Sequence, residues 1–290
     1  MKLLAIYFTG TYNSKKVLDK VCNELINQGN EVDVVDACCD EVKDINMYDA
    51  MVISYPIYAF NAPLPIIKYV KKLACANKPI NCLVVKNSGE YSFLNNASSL
   101  KLASILKKKN IYIKNEYHYL MPYSFVFRHS DYMVWKMKQA VDLFVPQDVN
   151  AFLCGNEQPI KRFFLDRPFS FIFRIQRFGG RFNGRFYKVD LNKCSHCNKC
   201  INNCPANNIM LKDGAIEFGK NCLMCQRCAM YCPTQAISVG LFKRWQVGKA
   251  YAFKEQLEYQ KELKPRFCVR SYKRYFGEYE SRAKVGESDE

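Results

Sequence analysis

Eight of the chain's fifteen cysteines stand in two runs, and the runs are copies of one another. The first is Cys194-Ser-His-Cys197-Asn-Lys-Cys200-Ile-Asn-Asn-Cys204-Pro205, and the second is Cys222-Leu-Met-Cys225-Gln-Arg-Cys228-Ala-Met-Tyr-Cys232-Pro233. Both read C-x2-C-x2-C-x3-C-P. Matching cysteines are 28 residues apart, from 194 to 222 and from 204 to 232, and the offset carries on through Pro205 and Pro233 and through Ile209 and Ile237. An internal repeat of this size implies two similar halves packed against each other. Each proline fixes φ and offers no N–H, so it turns the chain away just after the last cysteine of its run.

Structural zinc usually takes two ligand pairs separated by a longer spacer, which two runs of four fit poorly. Disulfides need an oxidising compartment, and nothing in the sequence suggests export. The spacing resembles that by which bacterial-type ferredoxins hold [4Fe–4S] clusters, where the fourth cysteine of each run ligates the other cluster. The resemblance implies one cluster on Cys194, Cys197, Cys200 and Cys232, and a second on Cys222, Cys225, Cys228 and Cys204. The other seven cysteines (Cys22, Cys38, Cys39, Cys75, Cys82, Cys154 and Cys268) show no metal spacing and read as small hydrophobes.

The first half of the chain alternates strand and helix. Residues 2–8 are apolar and β-prone, and Ser14 to Gln28 is amphipathic and ends at Gly29. Glu31 to Asp36, Met51 to Ser54, Cys82 to Val85 and Ile111 to Tyr119 read as further strands. Leu64 to Leu73 and Ser99 to Lys109 read as helices between them. This order predicts an α/β, doubly wound parallel sheet, whose ligand sits beyond the carboxyl ends of the strands at the switch point.

Three loops occupy those ends. Thr9-Gly10-Thr11-Tyr12-Asn13-Ser14 runs into a helix N-terminus, a place suited to a phosphate. It resembles the phosphate loop of flavodoxins at Thr9, Thr11, Asn13 and Ser14, with Tyr12 standing where glycine is common. The second loop is Tyr55-Pro56-Ile57-Tyr58-Ala59-Phe60-Asn61-Ala62-Pro63 and the third is Asn87-Ser88-Gly89-Glu90-Tyr91. In flavodoxins these positions enclose an isoalloxazine ring. The resemblance implies FMN held by Thr9, Thr11, Asn13, Ser14, Pro56, Ile57, Tyr58, Ala59, Asn87, Ser88, Gly89 and Glu90. A response-regulator domain shares the fold but wants acidic residues where this chain has Thr9 and Ser54.

The combination resembles flavodoxin–ferredoxin fusion proteins, a family common in anaerobic microbes, over most of residues 1–150 and 188–240. Residues 121–123 and 127–131 (Met-Pro-Tyr and Phe-Arg-His-Ser-Asp) add to the match. The expected organisation is a flavodoxin-like FMN domain over 1–156, a basic aromatic linker over 157–187, an α+β ferredoxin-type 2[4Fe–4S] domain over 188–240, and a basic extension over 241–290 with a disordered end. The resemblance implies electron transfer among FMN and two clusters, with no protein acid, base or nucleophile required. An FMN-dependent reductase of a small substrate stays open beside it, as does an adaptor that uses the clusters structurally.

The formal net charge is +16, and its larger part lies beyond residue 150. In residues 157–189, lysines and arginines such as Lys161, Arg162, Arg174, Arg177, Arg181, Arg185 and Lys188 alternate with phenylalanines. Three readings are open: an element lying on an anionic membrane, a docking face for an acidic redox partner, and a bridge whose aromatics pack while its arginines face water. The third is the plainest expectation. No nucleic-acid module accompanies the basic residues of 241–274. Met1 to Phe8 is too short an apolar run for a signal peptide, so a reducing cytoplasm is the expected setting.

Overall fold

A computed structural model describes residues 1–159, 163 and 166–288. Its chain divides into two compact units. The first comprises Met1–Met121, Lys136–Phe173 and Arg266–Glu290, and the second Pro122–Trp135 and Arg174–Pro265. The division thus cuts through the segments expected to be a linker and an extension.

Five parallel strands form the centre of the first unit: β1 (Lys2–Tyr7), β2 (Glu31–Asp36), β3 (Ala50–Pro56), β4 (Ile80–Ser88) and β5 (Ile111–Leu120). Their spatial order is β2-β1-β3-β4-β5, the flavodoxin-like arrangement, whose switch point lies between β1 and β3. Leu3, Leu4, Ala5 and Ile6 are all fully buried. Successive strand residues point to opposite faces, so this run shows that the sheet is covered on both sides, as parallel sheets require. Helix α1 (Asn13–Asn27) buries Val17, Leu18, Val21, Cys22 and Leu25 on one stripe and is closed by Gly29 at φ +79°. Helices α2 (Leu64–Lys72) and α3 (Leu100–Lys107) follow β3 and β4.

Three more helices lie wholly or, for the first from Lys136 on, mainly in this unit. Helix α4 (Asp131–Leu153) carries Pro146 inside it and buries Met137, Ala140, Val141, Phe144, Val145 and Val149. Helix α5 (Asp166–Phe173) comes from the segment whose plainest expectation is a bridging helix, and the C-terminal helix α9 (Val269–Ser288) from one with no expected fold. The expected disordered end begins at Gly286, yet α9 runs to Ser288; Asp289 and Glu290 lie outside the described residues. Lys161 and Arg162 also lie outside them.

The second unit holds α6 (Gln176–Gly184), β6 (Lys188–Val189), α7 (Lys199–Asn202), β7 (Ile209–Lys212), β8 (Ala215–Phe218), α8 (Arg227–Met230) and β9 (Ile237–Ser238). Strand β6 pairs with β9 and β7 with β8, both antiparallel. The sequence repeat is also a backbone repeat. Helices α7 and α8 start 28 residues apart, at 199 and 227, and β7 and β9 start at 209 and 237. Left-handed backbone falls at His196 and Met224, at Asn198 and Gln226, and at Asn207 and Gln235. None of these is glycine, so the same three turns are held against a local cost in both halves. The apolar core is small, with Tyr187, Ala229, Ile237 and Val239 at its centre and Cys200, Cys222, Cys228 and Cys232 packed around them.

Candidate functional site

In the first unit the three expected loops meet at the carboxyl end of the sheet. Tyr12 sits at φ +65°, ψ 0° and caps α1. The position therefore does use the left-handed region where glycine is common, and the tyrosine adopts it at a cost of about 1–2 kcal/mol. Thr9, Thr11, Asn13 and Ser14 are all buried, and the first turn of α1 holds no acidic side chain. Ser14 Oγ donates to Asn87 Oδ1 at 2.5 Å, and Ser54 Oγ donates to Ser14 O at 3.1 Å. Asn87 O in turn accepts from Ile57 N at 2.8 Å. Asn87 thus joins the loop after β1 to the loop after β3.

The loop after β3 is strained. Tyr58 and Asn61 exchange backbone hydrogen bonds, each 3.0 Å, across Ala59 at φ +48° and Phe60 at φ +56°. Two successive positive φ angles define a turn that ordinarily takes Asn-Gly. What holds it is α5: Ser170 Oγ donates to Asn61 Oδ1 at 2.9 Å, Asn61 Nδ2 donates to Ser170 O at 3.1 Å, and the Phe60 and Phe173 rings meet at 4.8 Å. Tyr58 stays partly exposed, its ring edge-on to buried Phe8 at 6.0 Å. Backbone strain of this kind persists only where the surroundings fix it and is common at ligand sites.

The loop after β4 is clamped by α9. Tyr272 Oη donates to Gly89 O at 2.5 Å and Arg274 Nη2 to Tyr91 O at 2.6 Å. Ser88 Oγ donates to Glu90 O at 2.6 Å. Its oxygen also lies 2.8 Å from His118 Nε2, and Tyr91 stacks on the His118 ring. Burial drives the His118 pKa well below its ordinary value, with Lys86 and Arg274 adding to the effect. Beneath this loop Lys86 Nζ donates to Glu116 Oε1 at 2.6 Å, both side chains all but sealed from solvent at 0% and 1% exposure. Lys86 also donates to Asn95 O, and Ser99 Oγ to the same Glu116 oxygen. Sequence reading missed His118, Lys86 and Glu116. The signal was there, since Lys86 stands two residues beyond Val84, the β4 partner of Glu116, and a charge inside a buried strand must be compensated.

In the second unit Cys194, Cys197, Cys200 and Cys232 line one cavity together with Pro233 and Ile237. Cys232 and Cys194 act on the Cys200 thiol through space, adding to the rise caused mainly by burial. Cys197 is exposed, and its thiol is held below the ordinary value by the Lys199 backbone N–H and then by the Ser195 hydroxyl. The second group is deeper. Burial raises the Cys222 thiol, lifts Cys225 to about 12 and pushes Cys228 well up. Cys204 contributes to the rise at each of the three. Backbone donors repeat as well: Asn208 N reaches Cys204 Sγ and Ala236 N reaches Cys232 Sγ, both at 3.3 Å.

Three neighbours of Cys222 escaped the sequence reading. Gln226 Nε2 donates to Tyr187 Oη at 3.0 Å, and the Tyr187 hydroxyl favours the charged form of the Cys222 thiol, against the larger effect of burial. Gly184 leaves no room for a side chain, since a β-carbon there would lie 2.2 Å from Cys222 Cβ. Gly180 faces Met224, so the G-x3-G pattern of α6 was the available signal. Among the described residues no group of three or more His, Cys, Asp or Glu side chains is gathered to hold a metal ion. A single ion bound by thiolates at 2.3 Å would draw them to within about 4 Å of each other.

No protein-family model matches the chain, and no curated protein matches it in sequence. In fold the chain is similar to a flavodoxin from Streptococcus pneumoniae TIGR4, with 14% identity over 52% of this chain and 99% of that one and a TM-score of 0.37. A short-chain flavodoxin associated with a bacterial microcompartment gives 16%, 53%, 95% and 0.39. An FMN-dependent NADH-azoreductase from Bacillus anthracis, solved with FMN, gives 13%, 41%, 85% and 0.34. The strand order, rather than these likenesses, is what makes the first unit flavodoxin-like in fold.

Proposed function

We propose that the chain is an electron-transfer protein that binds FMN in its first unit and two [4Fe–4S] clusters in its second, and passes electrons between them and a redox partner protein. One observation carries the reading: two cysteine runs of C-x2-C-x2-C-x3-C-P spacing, repeated at an offset of 28 residues. One cluster would rest on Cys194, Cys197, Cys200 and Cys232, and the other on Cys222, Cys225, Cys228 and Cys204. A four-iron cube spaces its thiolates more widely than a single ion does. Burial opposes bare thiolates at Cys225 and Cys228, and a cationic group that deprotonates them reverses that penalty.

FMN, when bound, supplies one- and two-electron chemistry and the clusters one-electron chemistry. The chain's own residues bind and orient. The N-terminal N–H groups of α1, with Thr9, Thr11 and Asn13, suit a phosphate. Ser14 acts through Asn87, which pins the loop that carries Ile57. Tyr58 and Ala59 would border the ring on one side, and Ser88, Gly89 and Glu90 on the other, with Pro56 ending β3 between them. The ferredoxin-type reading of the second unit is supported by its paired β6–β9 and β7–β8 strands around two equal turns.

Anaerobic redox titration of the purified chain, followed by visible absorbance and EPR with iron, sulfide and flavin analysis, tests this. Two clusters and one FMN per chain are expected. Zinc without sulfide, or a metal-free chain recovered under oxygen exclusion, would end the cluster reading, and absence of flavin would end the FMN reading.

A second reading, an FMN-dependent reductase of a small substrate fed by the clusters, is favoured by a cavity of about 380 Å³ lined by Tyr91, His118, Tyr119, Asp148 and Arg274 in the first unit. It predicts saturable turnover with one acceptor from a panel of small oxidants. Equal, unsaturable reduction of all of them would leave the carrier.

A further inference from the structure

The second unit carries a file of large apolar side chains that face water. On and beside α6, Ile175 is 70% exposed, Phe178 69%, Phe182 54% and Phe186 39%. Their spacing of three and four residues puts them on one side of the helix. The opposite side, Gly180, Asn183 and Gly184, is buried against Met224, Val239 and Cys222. The expectation that these aromatics pack while the arginines face water therefore does not hold at these positions: both face water.

The patch continues onto a neighbouring segment. Asn183 Oδ1 accepts from Leu241 N at 2.8 Å, and a β-carbon on Gly240 would lie 3.2 Å from Phe186 Cβ. The short helical turn Gly240–Trp245 thus abuts the end of α6, and it too is outward-facing: Leu241 is 61% exposed and Trp245 48%. Trp245 stacks on Phe242 at 5.3 Å, and Phe125 meets both rings edge-to-face. Charge is one-sided. Arg181, Arg185, Lys188, Lys243 and Arg244 are exposed around the apolar residues, and neither 174–189 nor 236–254 contains an acid.

We infer that this face lies on an anionic lipid surface, with Phe178, Phe182, Leu241 and Trp245 entering the headgroup boundary and the flanking arginines and lysines meeting lipid phosphates. Separate apolar knobs on a convex helix, a tryptophan at the rim and acid-free basic flanks are the features of an interfacial helix. Attraction to anionic headgroups supplies the charge complement. Among the described residues no helix is long and apolar enough to cross a bilayer, so the contact is with the surface. The inference needs neither cofactor.

The experiment uses the full chain, purified anaerobically, and sucrose-loaded vesicles of phosphatidylcholine with or without about one-third phosphatidylglycerol. Co-sedimentation is expected only with the anionic vesicles and is expected to fall at least tenfold in about 0.5 M salt. In a Trp135→Phe background Trp245 is the single tryptophan, and its emission is expected to shift blue on vesicle addition. Phe178→Asp with Phe182→Asp, at exposed positions, is expected to weaken binding at least tenfold while the absorbance spectrum and melting curve stay unchanged. Arg181→Glu with Arg185→Glu is expected to abolish the preference for the anionic lipid. No sedimentation at low salt, unchanged emission from Trp245, or wild-type binding by both variants would overturn the inference. So would capture of an acidic redox protein by this face with no vesicle binding.

Discussion

Gly184 of α6 lies so close to Cys222 that a β-carbon would fall 2.2 Å from Cys222 Cβ and 3.1 Å from its sulfur. Gly184→Ala must therefore push the helix off the second cysteine run. The expected cost is about 1–3 kcal/mol, as for other overpacked sites. It would show as a lower melting temperature and, in a chain carrying the proposed clusters and FMN, as loss of about half the iron and sulfide with flavin content unchanged. Full iron content at wild-type stability would mean that the helix has slack here.

Tyr187 offers a finer probe of the same run. Its hydroxyl accepts from Gln226 and donates a hydrogen bond to Cys222, and the position 28 residues on, 215, is an alanine. A hydrogen bond to a ligating sulfur favours the more reduced cluster. With the two proposed clusters in place, Tyr187→Phe is expected to lower the potential of one of them only. A bond of about 1 kcal/mol corresponds to roughly 40 mV for one electron. Potentiometric EPR that shows both clusters shifted, or neither, would contradict the assignment.

Lys86 and Glu116 are buried together in the sheet. Removing one partner strands a charge, so Lys86→Met is expected to destabilise by about 3–5 kcal/mol. Lys86→Met combined with Glu116→Leu removes both charges and is expected to recover much of the loss. Urea unfolding of the single and double variants measures the difference. A double variant no better than the single would show that the Ser99 and Asn95 bonds, rather than the charge pair, hold the site.

Acid sensitivity follows from two buried imidazoles. Burial lowers the His129 pKa from 6.5 to about 4, and His118 moves well down for the same main reason. A depressed histidine is neutral in the fold, while the unfolded chain takes up a proton below about 6.5. Stability is thus complete above that pH and falls as acid is added, by about 1.4 kcal/mol per unit for each group, until the folded pKa is reached. For His129 the fall runs from pH 6.5 to about 4 and totals roughly 3 kcal/mol. His129→Gln is expected to flatten the stability profile over that window. An unchanged slope would place the acid sensitivity elsewhere.

The alternation of strand and helix in the first unit was legible because short β-prone runs are separated by helix-spaced segments, as β1 and α1 show. The cysteine repeat was legible because spacing along a tight turn is local, and the left-handed residues at 196 and 224, 198 and 226, and 207 and 235 show the two turns to be alike. Tyr12 was legible as a departure, and its φ of +65° shows why the position matters.

Contacts between distant segments were not legible. The loop after β3 depends on Asn61 meeting Ser170, 109 residues on, and the loop after β4 depends on Tyr272 meeting Gly89 across 183 residues. Both partners come from stretches that read as linker and extension, because periodicity reports a helix's own faces and not the surface it will find. The same holds for the phenylalanines of α6: their spacing fixed which side of the helix they share, and only the burial of Gly180, Asn183 and Gly184 on the other side decided that they face water. Local chemistry was written in the sequence; which face became interior depended on the long-range packing that fills the core.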